Sequence, residues 1–258
     1  MSAGRSPGGM NGALRVAVSG GNRGIGRAIA ELFQNRGHRV AVCSRSAREP
    51  RLSKGILHFR LDASRREQAR RFLAEAKRRM GGLDVIVNSA GTSVWKAIPD
   101  VDERFVEEML RSNLLSALWT SAEGARFLRR GGVILNVSSL AGKRGSANNS
   151  IYCAAKFALN GVTQALAKEL GPKGIRVNAV CPVYVKTRHV LRSLAEPASP
   201  AGGKSVARYL ARFASSQTAL GRLPTDREVA EVAFFLASPA ASAVTGQCVN
   251  VDCGTLPQ

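Results

Sequence analysis

A short apolar run, Leu14 to Ser19, breaks off into the glycine-rich turn Ser19-Gly20-Gly21-Asn22-Arg23-Gly24-Ile25-Gly26, and a helical pattern begins inside that turn. Leu14 to Ser19 reads as a buried strand. From Gly24 to Arg36 the residues Ile25, Ala28, Ile29, Leu32 and Phe33 share one helix face, and Gly37 stops the pattern. His38 to Ser44 follows as a second run of strand length. A strand, a helix and a second strand in such close succession call for a parallel pair joined by a right-handed crossover.

The rest of the chain repeats the alternation. Ile56–Leu61, Asp84–Asn88, Val133–Ser138, Ile175–Val180 (ending at Pro182) and Gln247–Val251 read as strands. The segment from Ser46 to Gly55 is short and carries Pro50, which leaves little room for a full helix. Ser64 is expected to cap a basic amphipathic helix running to about Met80. Val101 to Leu128 reads as two helices or one broken helix, while Ser150–Leu170 and Thr225–Leu236 read as single helices. Residues 183 to about 222 are rich in Pro, Gly, Ser and Ala and only weakly periodic. There is no internal repeat and no linker between domains. The expectation is an α/β, single-domain, Rossmann-like doubly wound parallel sheet with helices on both faces, over 13–258, behind a disordered tail at 1–12. The glycine turn, Asn88 to Gly91, Ser138–Ser139 and Pro182 all follow strands, so they should meet at the sheet's carboxyl edge, where such folds bind ligands. Residues 183–222 leave from that edge and are the natural substrate lid.

Tyr152 and Lys156 lie four apart in Tyr152-Cys153-Ala154-Ala155-Lys156, on one helix face. An ammonium beside a phenol favours the phenolate and should lower the tyrosine pKa, so that it trades a proton with a carbonyl or alcohol oxygen near neutral pH. The glycine turn offers a pyrophosphate site at a helix N-terminus. Together they read as a nicotinamide enzyme acting on C=O or CH–OH.

Arginine and lysine (38) outnumber aspartate and glutamate (18), for a net charge of +20. The clusters Arg65-Arg66, Arg70-Arg71, Lys77-Arg78-Arg79 and Arg129-Arg130 fit either an acidic partner or a solvated helix face, the latter being the plainer reading. No aromatic stacking platform accompanies them, which argues against a single-strand nucleic-acid binder. No apolar run is long enough to cross a bilayer, and the tail lacks the apolar stretch of a secretory signal. The five cysteines, Cys43, Cys153, Cys181, Cys248 and Cys253, sit in or beside apolar segments without C-x-x-C spacing, as expected of reduced thiols in a cytoplasmic protein. His38, His58 and His189 lack metal-ligand spacing, so no metal is expected.

These motifs, in this order from Leu14 to Thr255, resemble the short-chain dehydrogenase/reductase family. The family's T-G-x-x-x-G-I-G is similar to the turn at Ser19–Gly26, its N-N-A-G to Asn88-Ser89-Ala90-Gly91, its active-site asparagine to Asn113, its serine to Ser139 and its Y-x-x-x-K to Tyr152–Lys156. Its R-V-N-x-V-x-P-G is similar to Arg176 through Val183, followed by Lys186-Thr187, and its V-D-G-G to Val251-Asp252-Cys253-Gly254. The resemblance implies Tyr152 as proton donor or acceptor, Lys156 as its tuner and ribose ligand, and Ser139 as hydrogen-bond partner of the substrate oxygen. It further implies Asn113 as support for a water leading from Lys156 to solvent. Dinucleotide contacts are implied for Gly20, Asn22, Arg23, Gly24, Ile25, Gly26, Asp62, Asn88, Ala90, Gly91, Pro182, Val185 and Thr187, with Asp62 set towards an adenine amino group. Homotetramers paired through the helices near 101–130 and 150–170 are implied as well.

Cofactor choice follows from the end of the second strand. A site built for NAD holds a carboxylate there, against the ribose 2′-hydroxyl; this chain has Cys43-Ser44-Arg45. Arg45 can fork onto a 2′-phosphate and Ser44 can donate to it, with Arg23 as second cation and Arg48, Arg51 and Lys54 nearby, so NADP(H) is expected. Three positions depart from the family pattern: Val183 and Cys253 stand for glycines and Ser89 for an asparagine. Among subgroups the chain is most similar to 3-oxoacyl-thioester and polyketide-type ketoreductases, through the stretches from Asn136 to Gly145 and from Arg176 to Pro182. The expected partner is a small carbonyl substrate, free or bound to a carrier or coenzyme A. An alcohol or sugar dehydrogenase working oxidatively, and a non-catalytic dinucleotide sensor or nucleic-acid-binding protein, stay open as alternatives.

Overall fold

Strand β1 (Arg15–Ser19) lies between β2 and β4 in the interior of a seven-stranded, wholly parallel sheet of order β3-β2-β1-β4-β5-β6-β7. The other strands are β2 (Arg39–Ser44), β3 (Leu57–Arg60), β4 (Val85–Asn88), β5 (Val133–Val137), β6 (Arg176–Pro182) and β7 (Cys248–Val251). The computed structural model describes residues 12–45 and 52–257. Residues 1–11 of the expected tail, and Arg48 and Arg51, lie outside them.

Because successive strand side chains point to opposite faces, the sheet feeds two cores. Val16, Val18, Val40, Val42, Val85 and Val87 meet helices α1 (Gly24–Asn35) and α8 (Asp226–Ala237) through Ile29, Phe33, Val229 and Ala233. Ala17, Ala41, Ile86, Ile134 and Val177 face the other way, onto Phe72, Leu73 and Met80 of α2 (Arg66–Met80) and Leu170 of α5 (Ser150–Leu170). Strands buried on both faces read as continuous apolar runs, which is why the sequence shows them so plainly.

The stretch read as two helices or one broken helix is α3 (Glu103–Leu110) and α4 (Ser116–Gly124), joined by a π-helical turn at Arg111–Leu115. Two helices occur where only weak periodicity was visible: α6 (Arg188–Leu194) and α7 (Val206–Gln217). They pack through Leu194 and Leu210 on Trp95, with Tyr184 and Tyr209 alongside. Ser64 does not cap α2. Its hydroxyl donates to Asp62 Oδ1 at 2.8 Å, and the residue preceding α2 is Arg65, with no side-chain cap. A capping box does close α8, where Thr225 and Glu228 exchange bonds.

Strand order reverses between β1 and β4. The crevice outside their carboxyl ends is where a doubly wound sheet accepts ligands.

Candidate active site

A cavity of about 950 Å³ opens at that crevice, at the upper end of the size range of small-molecule sites. One end is built by the glycine turn. Gly20 has φ +71° and donates its N–H to the Cys43 carbonyl at 2.9 Å. A Cβ at Gly20 would stand 2.7 Å from the Ala90 backbone, and one at Gly26 would stand 2.5 Å from the Gly20 carbonyl oxygen. Only glycine lets β1, α1 and the segment after β4 approach this closely. Gly24, Ile25 and Gly26 of the first turn of α1 line the cavity with Asn22 and Arg23, and no side chain caps that helix. The cradle and the uncapped N-terminus fit an anionic group such as a pyrophosphate.

Along the rim beyond β2 stand Ser44, Arg45 and Asp62. Arg45 is exposed. The Ser44 hydroxyl lies 2.9 Å from His58 Nε2. Asp62 Oδ1 accepts from the Ser64 N–H at 3.0 Å as well as from its hydroxyl, so Asp62 also builds the turn it sits in. Arg45 is the residue directly after β2.

The other end carries the reactive groups. Ser139, extended after β5, accepts the Ala141 N–H at 3.1 Å. Tyr152 and Lys156 occupy the first two turns of α5. Lys156 is buried, donates from Nζ to the Val137 carbonyl at 2.9 Å, and has that nitrogen 5.7 Å from the centre of the Tyr152 ring. Asn113 sits in the π-helical turn, where its Nδ2 donates to the carbonyls of Thr92 (2.9 Å) and Met109 (3.0 Å) and its Oδ1 accepts the Thr92 N–H at 3.1 Å. A Cβ at Gly91 would lie 2.8 Å from Asn113 Oδ1 and 3.8 Å from Lys156 Nζ, so backbone, amide and ammonium meet there.

The expected lowering of the tyrosine pKa is absent. Burial pushes the Tyr152 phenol up to about 12, with the hydrogen bond to Ser139 acting in the other direction. Burial brings the Lys156 ammonium down to about 8. Desolvation dominates at both groups, and the Lys156 ammonium donates to the Val137 carbonyl. At neutral pH the site therefore holds a protonated phenol beside a charged amine.

Every residue assigned in the sequence to the chemistry or to a dinucleotide contact lines this one cavity except Asn88, while Lys54, beyond the second strand's end, does not line it. Asn88 is buried beneath it and donates from Nδ2 to Ser121 Oγ and to Asn136 Oδ1, both at 2.9 Å. Val183 lines the cavity and has no positive φ, whereas Cys253 takes φ +54°. The sequence reading passed over Thr92, Ser93 and His189, which form part of the wall. Proximity to Thr187 was the one available hint for His189.

Comparisons with known proteins find relatives over nearly the whole chain. A family model described as enoyl-(acyl carrier protein) reductase matches residues 20–255. The 3-oxoacyl-[acyl-carrier-protein] reductase of Mus musculus is 32% identical over 245 residues, covering 92% of this chain and 96% of the relative. Among solved structures, ligand-free aldohexose dehydrogenase of Thermoplasma acidophilum superposes with a TM-score of 0.86 at 27% identity, covering 95% and 98% of the two chains. A variant of actinorhodin polyketide ketoreductase with NADPH gives 0.83 at 30% identity, covering 94% and 97%.

Proposed function

The chain belongs to the short-chain dehydrogenase/reductase family, a family of oxidoreductases, and from that premise we propose that it is an NADPH-dependent carbonyl reductase acting on a 3-oxoacyl thioester or a related ketone. The observation that carries the reading is the convergence of Asn113, Ser139, Tyr152 and Lys156 on one end of a cavity whose other end is a glycine cradle flanked by Arg23 and Arg45.

When bound, NADPH supplies the hydride that the carbonyl carbon receives. The glycine turn and the N-terminus of α1 hold its pyrophosphate, and Arg45 and Arg23 hold its 2′-phosphate. Ser139 hydrogen-bonds the substrate oxygen and fixes it against the phenol. Tyr152, protonated at neutral pH, gives that oxygen its proton as negative charge develops there. The Lys156 ammonium stabilises the phenolate left behind. Asn113 keeps the wall in place, since its side-chain amide is committed to Thr92 and Met109. Residues 183–222, with α6 and α7, act as the substrate lid. The same reading takes the protein as a cytoplasmic homotetramer paired through α3–α4 and α5, a pairing supported by the exposed Phe157 on α5. Among the described residues no helix is long and apolar enough to cross a membrane.

The test is a panel of ketones, 3-oxoacyl thioesters and sugars, assayed with NADPH in the reductive direction and NADP⁺ in the oxidative one, for wild type and Tyr152→Phe. The reading expects reduction of a ketone or thioester, lost by orders of magnitude in the variant while NADPH still binds. Turnover confined to sugar oxidation would favour the dehydrogenase reading, for which the likeness to aldohexose dehydrogenase speaks. Near-normal turnover by Tyr152→Phe would remove the assignment of the acid.

A further inference from the structure

His189 lies in the first turn of α6, and its hydrogen bonds go to Thr92 and Ser93 rather than to the four residues assigned to the chemistry. Its Nε2 accepts the Ser93 N–H at 3.1 Å, and Thr92 Oγ1 lies 3.0 Å from the same nitrogen. A backbone N–H can only donate, so Nε2 carries no proton, the neutral ring keeps its proton on Nδ1, and the Thr92 hydroxyl donates too. One helical turn later, Ser193 Oγ donates to the Ser93 carbonyl at 2.8 Å. Helix α6 thus grips both backbone groups of Ser93. From the opposite side Asn113 grips both backbone groups of Thr92.

We propose that His189 is a positioning residue, a latch that holds the lid helix α6 against Thr92–Ser93, and through them braces Asn113, only while its Nε2 is unprotonated. A proton on Nε2 turns the acceptor into a donor facing the Ser93 N–H, so the latch cannot close on an imidazolium. Charges around the ring favour the closed form. Burial lowers its pKa first, and Arg23 at the start of α1 and Arg192 on α6 act in the same direction, while the Thr92–Ser93 segment brings no charge. The sign follows: with a closed-state pKa below the ordinary value of about 6.5, the latch is fully present above about pH 6.5 and is lost as pH falls towards the lowered value.

The functional consequence rests on the carbonyl-reductase reading, but the latch itself does not, so the first measurement avoids turnover. Amide hydrogen exchange at 92–93 and 188–194, corrected for intrinsic rates, is compared between about pH 8 and about pH 5 in wild type, His189→Gln and His189→Leu. Gln offers an amide oxygen near the position of Nε2 and does not titrate. Wild-type protection should fall on acidification. Gln should keep its protection without pH dependence, and Leu should be about tenfold less protected than wild type at about pH 8, the worth of one hydrogen bond, with no pH dependence of its own and with β4 and β5 unchanged. Protection that ignores pH in wild type, or a Leu variant protected like wild type, overturns the latch. In the second measurement, kcat/KM for the ketone should carry an acid limb in wild type that is absent in Gln. If wild type reduces no carbonyl, the functional reading fails while the exchange data still decide the latch.

Discussion

Thr92 and Asn113 hold each other through two reciprocal bonds: the Thr92 N–H donates to Asn113 Oδ1 at 3.1 Å, and Asn113 Nδ2 donates to the Thr92 carbonyl at 2.9 Å. The π-helical turn at Arg111–Leu115 brings the asparagine to this position. Asn113→Ala leaves both backbone groups without their partner in a part-buried wall. The expected result is a loss of about 10- to 100-fold in kcat, from about 1–3 kcal/mol of lost positioning, with a smaller effect on the dissociation constant of NADPH. Steady-state kinetics and cofactor titration check it. An equal loss in both would assign Asn113 to cofactor binding instead.

The alkaline side of the pH profile of reduction should be set by Lys156. Tyr152, at about 12, stays protonated over the working range. Lys156, brought to about 8 by burial, loses its charge as pH rises through that value. Reductive kcat/KM is therefore expected to decline as pH rises through about 8, on the opposite side of the profile from the acid limb assigned to His189. In Lys156→Arg, whose guanidinium stays charged, whatever activity remains should show no such decline. A wild-type profile that is flat well beyond pH 8 would separate the ammonium from the chemistry.

Cys253 stands at φ +54°, in the left-handed region. The turn around it is held by Asp252, which accepts the N–H of Gly254 at 3.0 Å and of Leu256 at 2.9 Å. A side chain in this conformation costs about 1–2 kcal/mol, part of which glycine returns through the freedom of the unfolded chain. Cys253→Gly should raise stability by about 0.5–1 kcal/mol, or about 2 °C in Tm. Asn148, at φ +56°, is a tolerated residue type there, and Asn148→Gly should change less. Thermal unfolding of both variants decides; a lower Tm for Cys253→Gly would mean that its packing outweighs its strain.

What could be read from the chain followed from locality. The glycine turn was legible because its strand and helix flank it directly, and Tyr152 and Lys156 because one helix turn separates them. Helix α7 carries Val206, Tyr209, Leu210 and Phe213 at helical spacing, but the glycines and prolines before it diluted the pattern over the whole lid segment. The tyrosine pKa was misjudged because the sequence shows the neighbouring charge and not the burial, and burial wins. Asn88 sits in a cofactor motif, yet its partners Ser121 and Asn136 lie 33 and 48 residues away and draw it into the core. The bond between His189 and Ser93 spans 96 residues and no local pattern announces it.

Cofactor selection should turn on Arg45. It follows β2 directly, on the cavity rim, where an acid would be needed for a free 2′-hydroxyl. Arg23 stands on the same cavity. A charge-assisted bond from Arg45 to the 2′-phosphate is worth roughly 1.5–3 kcal/mol, so Arg45→Ala should raise KM for NADPH by about one to two orders of magnitude and leave NADH little changed. Arg45→Asp should go further and turn the preference towards NADH, since a carboxylate repels the phosphate and accepts from the free hydroxyl. The measurement is kcat/KM with both cofactors for wild type and both variants. A wild type that already prefers NADH, or a ratio that Arg45→Asp does not move, would show that the residue after β2 does not read the ribose.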